Sequence, residues 1–215
     1  MTGHPIFAAI YDRLLASAEK GGLEGMRAEL LGDAAGRTLE LGAGTGHNLP
    51  HYTSKVTELV LTEPDPHMAS RLSTHLVAEP PEGAEVSVVD ASAEELPFED
   101  DSFDTVVTTL VLCTVENPAR AVAEAERVLR PDGRLLYLEH VRSPHGTRLE
   151  RWQDRVERPW GWFAGGCHPN RPTERTLAAA GLELESLHRE EFPNATLTPW
   201  MKPVIRGTAR RSPPS

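Results

Sequence analysis

Thr38-Leu39-Glu40-Leu41-Gly42-Ala43-Gly44-Thr45-Gly46 is the stretch that decides the fold. Four residues of strand character run straight into three glycines spaced two apart. Such a turn lets the backbone bend sharply and lets a ligand approach with no Cβ in the way. Glu63 closes the next strand-like run, Leu59-Val60-Leu61-Thr62, 21 positions after Gly42. A carboxylate there is placed to accept both ribose hydroxyls of a nucleotide-like ligand. The plainer alternative is a structural turn and a surface glutamate.

Working outward, the same grammar repeats. Glu85 to Val89, Thr105 to Leu110 and Arg134 to Leu138 read as further strands, with helices over Pro66 to Ala78 and Pro118 to Arg130 between them. Pro131-Asp132-Gly133 reads as a helix stop and tight turn. Short apolar strands alternating with helices indicate a parallel sheet covered on both faces. Upstream, Phe7, Ile10, Tyr11, Leu14, Leu15 and Ala18 form one helical stripe, broken at Gly21-Gly22 and followed by a short helix over Leu23 to Leu31. Downstream of residue 142 the pattern becomes irregular and rich in Trp and Arg. A helix over Thr173 to Ala180, a strand over Leu182 to Leu187 and a last strand over Val204 to Ala209 follow, with 210–215 expected to be a disordered tail.

The 215 residues suit one domain. They divide into covering helices (1–36), a cofactor-binding core (37–142), a substrate-side segment with the last strands (143–209), and the tail. Lys and Arg number 22 against 32 Asp and Glu, a formal charge of −10, which argues against a nucleic-acid partner. Apolar residues make up 39% and no run approaches the roughly 18 needed to span a membrane. Only Cys113 and Cys167 occur, so no disulfide framework is expected and a reducing, cytoplasmic setting is.

The dinucleotide fingerprint G-x-G-x-x-G requires glycine where this chain has His47. The glycines are instead spaced G-x-G-x-G, and Glu40 stands two residues before the first. An acid beside the turn suits the ammonium group of S-adenosylmethionine, a ligand without phosphate.

These residues resemble a family. Leu39 to Gly46, Ser92-Ala93-Glu94-Glu95-Leu96-Pro97-Phe98, Ser102-Phe103-Asp104 and Val128-Leu129-Arg130-Pro131-Asp132-Gly133 are similar to class I methyltransferases of the type 11 kind, over about residues 37–140. A narrower likeness, to the methyltransferase-like 7 group, rests on Thr109 to Val115, Glu139-His140-Val141, Trp152, Pro159-Trp160, and Gly166-Cys167 through Arg171. That group is associated with alkyl thiol methylation. Its animal members carry an N-terminal membrane anchor that is missing here, which implies a soluble relative. The resemblance implies a Rossmann-like α/β fold: a seven-stranded, mostly parallel sheet, helices on both faces, and one antiparallel strand near Val204 to Ala209. It assigns Glu40, Gly42, Ala43, Gly44 and Gly46 to the methionine part of S-adenosylmethionine. Glu63 goes to the ribose, with Pro64 beside it in the cofactor set. Met68 lies against the adenine face, where core packing under its helix is the alternative. Ser92 and Ala93 flank the adenine edge, and Leu110 and Cys113 the reacting methyl. Many relatives have Asp where Ser92 stands; Asp90 is the alternative acceptor.

Displacement on a sulfonium needs a base only if the acceptor arrives protonated, and a thiol needs little help. His140, at the end of the fifth strand, and His168, in a turn-rich loop, are the candidate bases; a structural hydrogen bond and a surface position are their respective alternatives. No second Cys/His pair accompanies Cys167-His168 at ligand spacing, so no metal is expected. Cys113 reads as a small buried hydrophobe. Trp152, Trp160, Trp162 and Phe163 suit an acceptor wall, a core seal, or a patch meeting a membrane or another subunit. Arg148, Arg151, Arg155 and Arg158 make a basic helix face, either paired with Glu150, Asp154 and Glu157 or docking on a membrane surface. The function expected is methyl transfer to a small, largely apolar acceptor, sulfur favoured. The alternatives are transfer to nitrogen, oxygen or carbon of a secondary metabolite, quinone or lipid headgroup, a nicotinamide oxidoreductase, and a catalytically silent binding module.

Overall fold

The computed structural model describes residues 5–81, 83–195 and 198–211; the side chains of 5–10 and 14 lie outside the described set. Seven strands form one sheet: β1 (Gly36–Leu41), β2 (Val56–Thr62), β3 (Glu85–Val89), β4 (Phe103–Thr109), β5 (Leu129–His140), β6 (Leu182–Glu191) and β7 (Pro203–Arg211). Their order is β3-β2-β1-β4-β5-β7-β6. β1 pairs in parallel with β2 and β4, β2 with β3, and β4 with β5. β7 runs antiparallel to both β5 and β6, as the reading of 204–209 expects.

Period-2 alternation sends successive side chains to opposite faces. Leu39, Leu41, Val60, Val106, Leu135 and Tyr137 pack on one face, under α4 (Pro118–Val128) and α6 (Thr173–Ala179). Leu59, Leu61, Val107, Leu136 and Leu138 pack on the other, with Leu30 and Leu31 of α2 (Glu24–Leu31) and Leu72 of α3 (Pro66–Ala78). Asp65 caps α3, its side chain accepting from His67 N at 2.8 Å, with Pro66 at the first helical position. Strand order reverses between β1 and β4, so a crevice opens beyond their carboxyl ends, where ligands bind in open α/β sheets.

α1 (Pro5–Ala18) meets α2 through a five-residue π-helical turn, Glu19–Leu23, with Gly22 at φ 130°. Of the expected stripe, Leu15 and Ala18 pack into the second core face; the side chains of Phe7, Ile10 and Leu14 lie outside the described residues.

Three expectations need correction. Residues 129–133 do not form a tight turn; they extend β5, because Leu129 is fully buried and pairs with Phe103. The first two residues of the expected tail are ordered: Arg210 and Arg211 belong to β7, and Arg211 Nε bonds Glu126 at 2.6 Å. Residues 212–215 lie outside the described set. The stretch after 142 is not irregular throughout, since Arg148–Phe163 forms one helix, α5, that carries Pro159 inside it. Thr147 Oγ1 caps it by accepting from Glu150 N at 3.1 Å, and Glu150 Oε2 accepts from Gly146 N at 2.7 Å.

Candidate active site

The carboxyl end of β1 delivers Glu40 and the glycine turn to the crevice. Gly44 has φ +59°, and a Cβ added there would meet nothing within 4 Å, so the turn presents bare backbone to open space. Gly46 is needed for the opposite reason. At φ +95°, its Cβ would sit 2.8 Å from Leu49 Cδ1 and 2.9 Å from Leu72 Cδ1.

Glu63, at the end of β2, turns its carboxylate back to this loop. Gly44 N donates to Oε2 at 2.8 Å and Asp65 N to Oε1 at 2.9 Å. The side chain is therefore fixed, and each oxygen retains a lone pair for another donor. Burial raises its pKa above the ordinary carboxylate value, while the two backbone donors oppose the rise.

Two cavities lie at this crevice. The first, about 20 Å³, is lined by Glu40, Gly42, Ala43 and Gly44 together with Tyr11 and Arg27, among others. The second, about 620 Å³, is lined by Pro64, Asp90, Ser92 and Leu96 among others. The Glu63 carboxylate bonds the wall of the first, at Gly44, and precedes Pro64 in the wall of the second. One end thus presents a buried acid and bare backbone, the other a slot of apolar residues with the Ser92 hydroxyl and the Asp90 and Glu95 carboxylates, with a fixed acceptor at the junction. That donor set fits a nucleoside carrying an amino-acid tail. Met68, Gly46, Ala93, Leu110, His140 and His168 line neither cavity.

Glu40 is 2% exposed. Tyr52 Oη donates to its Oε2 at 2.6 Å and Asn48 Nδ2 to its Oε1 at 2.8 Å. Burial raises its pKa to about 7, against the lowering effect of those two donors and of Arg27. Arg27 Nη1 bonds Asn48 Oδ1 at 2.7 Å and Thr109 Oγ1 at 3.2 Å, and its Nε bonds Glu19 at 3.2 Å. Arg27, Asn48, Tyr52 and Thr109 escaped the sequence reading. Nothing in the spacing marks them as site residues: Asn48 and Tyr52 bond Glu40, and Arg27 and Thr109 join through Asn48. His47, where a dinucleotide site would have glycine, lies with Nε2 3.3 Å from Asp12.

The other assigned residues are placed as follows. Met68 is buried, its N–H donating to the Asp65 cap at 3.3 Å. Ala93 is buried, and Ser92 Oγ accepts from Glu94 N at 3.2 Å. Leu110 takes φ +61°, with its N–H bonded to Leu138 O at 2.8 Å. Beside it, Glu139 is fully buried and holds the turn after β4, accepting from Thr108 Oγ1 and from Val111 N at 3.1 Å.

The acceptor side follows. His140 is 2% exposed, its ring tilted against Phe192 with centroids 4.6 Å apart, and burial pushes its pKa down to about 4. It is neutral at pH 7. His168 Nδ1 lies 3.0 Å from Glu157, and its backbone N–H bonds Cys113 O at 2.7 Å, which pins the loop to the end of β4. Cys113 and Cys167 are both buried and free, and Cys113 Sγ donates to Leu110 O at 3.4 Å. Among the described residues no group of three or more His, Cys, Asp or Glu is placed to hold a metal ion, and no helix is long and apolar enough to cross a membrane.

Comparison with known proteins places the chain in a family. A methyltransferase-domain family matches residues 39–137. Thiol S-methyltransferase TMT1B of Homo sapiens is 35% identical over 155 residues, covering 72% of this chain and 63% of that protein, so the chain spans less than two thirds of it. Thiol S-methyltransferase TMT1A of Homo sapiens is 30% identical over 188 residues, covering 87% of this chain and 76% of that protein. Among solved structures, the [4+2]-cyclase SpnF superposes with a TM-score of 0.70 at 18% identity, covering 89% of this chain and 80% of that one. That likeness concerns the fold alone. With 30% identity to TMT1A across 87% of this chain and a methyltransferase-domain match over 39–137, the chain belongs to the class I S-adenosylmethionine-dependent methyltransferases, in the group that holds TMT1A and TMT1B.

Proposed function

We propose that the protein transfers a methyl group from S-adenosylmethionine to a small, largely apolar acceptor, with a thiol sulfur favoured. The observation that carries the reading is the Glu63 carboxylate, held by Gly44 N and Asp65 N at the junction of the two cavities. In this reading Glu63 accepts from the ribose hydroxyls and Glu40 faces the ammonium group. Arg27, lining the same cavity, faces the carboxylate of the methionine part. Pro64, Asp90 and Ser92 flank the adenine. S-adenosylmethionine supplies an already activated methyl group, so the chain's own task is to orient the acceptor and exclude water.

The preference for sulfur is supported by the two thiol S-methyltransferase relatives. It is also supported by the chemistry on the acceptor side. A thiol is a few per cent thiolate at pH 7 and needs no strong base. His168, on a loop pinned to the end of β4, is the candidate to take the remaining proton. His140, enclosed against Phe192 and neutral at pH 7, has a packing role instead. The free state of both cysteines supports a cytoplasmic setting, and the reading treats 1–215 as one domain.

Calorimetry tests the cofactor half of the proposal. Binding of S-adenosylhomocysteine with none for NAD is the expected result; the reverse would replace the reading with an oxidoreductase.

A further inference from the structure

We infer that the solvent-facing side of α5 docks the protein on an anionic phospholipid surface. At 3.6 residues per turn, Arg148, Arg151, Arg155 and Arg158 fall within one arc of about 140°, and all four are exposed. The same arc carries Trp152, Trp162 and Phe163, which are 47%, 88% and 56% exposed. Exposed aromatics of this size are uncommon on a free surface, and three on one helix face form a patch that calls for an occupant.

The acids of α5 do not neutralise this face. They point elsewhere and are engaged by other partners. Glu150 bonds Arg142 Nε at 3.0 Å, Asp154 bonds Arg142 Nη2 at 2.9 Å and Asn170 at 3.0 Å, and Glu157 bonds His168 at 3.0 Å. Among the described residues, no carboxylate lies within ion-pair distance of Arg148, Arg151, Arg155 or Arg158. The pairing of these arginines with the acids of their own helix, the sequence alternative, is not formed. A cationic and aromatic strip remains on a chain whose net charge is −10.

The chemistry selects the occupant. Guanidinium groups match phosphate, and Trp and Phe settle at the boundary between headgroups and acyl chains. A nucleic acid would meet the repulsion of the whole acidic molecule once it extended past this single helix. The placement also suits the site. α5 leads into the loop that His168 N and Arg171 Nη1 tie to Cys113 O and Leu112 O at the end of β4, at 2.7 and 2.6 Å. A bilayer under α5 lies next to the acceptor side. The docking itself does not depend on which atom is methylated.

The test is sedimentation of the full chain with phosphatidylcholine vesicles, with and without phosphatidylglycerol. Expected is partition onto the phosphatidylglycerol vesicles that weakens as salt is raised. Arg151→Glu with Arg155→Glu should lower the partition coefficient about tenfold or more, and Trp162→Ser with Phe163→Ser by a similar factor. Melting temperature and S-adenosylhomocysteine affinity should stay at the wild-type values in both variants. No partition onto phosphatidylglycerol vesicles, or equal partition of both variants and wild type, would overturn the proposal. So would tighter binding to duplex DNA than to those vesicles.

Discussion

Replacing Glu63 by Ala separates a ligand role from a structural one. The carboxylate satisfies Gly44 N and Asp65 N, and both of these residues are only half-buried, so water can replace part of what the donors lose. At the low end of the cost for an unmet donor, about 1 kcal/mol each, Glu63→Ala should cost at most about 2 kcal/mol of stability. Removing a carboxylate whose burial already opposes its charge offsets some of that. Cofactor binding has no such offset. Hydrogen bonds to a charged acceptor contribute about 1.5–3 kcal/mol, so the dissociation constant for S-adenosylhomocysteine should rise about 10- to 150-fold. Urea unfolding gives the first quantity and isothermal calorimetry the second. Glu63→Gln, which keeps one acceptor oxygen, should fall between wild type and Ala in calorimetry. A folded Glu63→Ala protein whose affinity stays within about twofold of wild type would remove Glu63 from the ribose role and refute the reasoning.

Other outcomes follow from the same geometry. Gly46→Ala forces a side chain into φ +95° and against Leu49 and Leu72; a loss of about 1–3 kcal/mol is expected in urea unfolding, and an unchanged midpoint would contradict it. Glu40 has a pKa of about 7 when folded against an ordinary 4.5, so the folded ligand-free protein holds the extra proton between those values. Its contribution to stability is fully present below 4.5 and is lost as pH rises through 7. Glu40→Gln should flatten that decline, leaving the parts due to Glu139, which is also raised to about 7, and to Glu63, which burial raises as well; a variant that kept the full slope in unfolding measured at both ends of the window would contradict this. His168→Ala should lower kcat for the accepted thiol, whereas His140→Ala should lower the melting temperature and leave kcat near wild type. An unchanged kcat in His168→Ala would show that the loop histidine takes no proton.

The sheet was legible because its signal is contiguous. Thr38 to Gly46 and Leu59 to Glu63 each join a buried strand to its own functional end, so spacing alone placed Glu40 and Glu63 at one crevice. Arg27 was not legible, because its partners Asn48 and Thr109 lie 21 and 82 positions away. Nothing local marks a helical arginine as part of the site. Local rules also misjudged α5. Spacings of three and four suggested Arg–acid pairs on one face, but tertiary partners claim the acids: Arg142 takes Glu150 and Asp154, and His168 takes Glu157. The basic helix face was legible from spacing, but the packing of Trp152 and Trp160 was not: Trp200, from the far end of the chain, meets them with ring centroids 6.4 and 5.4 Å apart.

The central claim is methyl transfer to sulfur at the crevice between β1 and β4. It is tested most directly by incubating the protein with methyl-labelled S-adenosylmethionine and a panel of alkyl thiols, amines and phenols, and identifying the labelled product by mass spectrometry. The account predicts a labelled thioether that forms only with protein present and is strongly reduced in Glu63→Ala. Label on an amine or phenol with none on any thiol would contradict it.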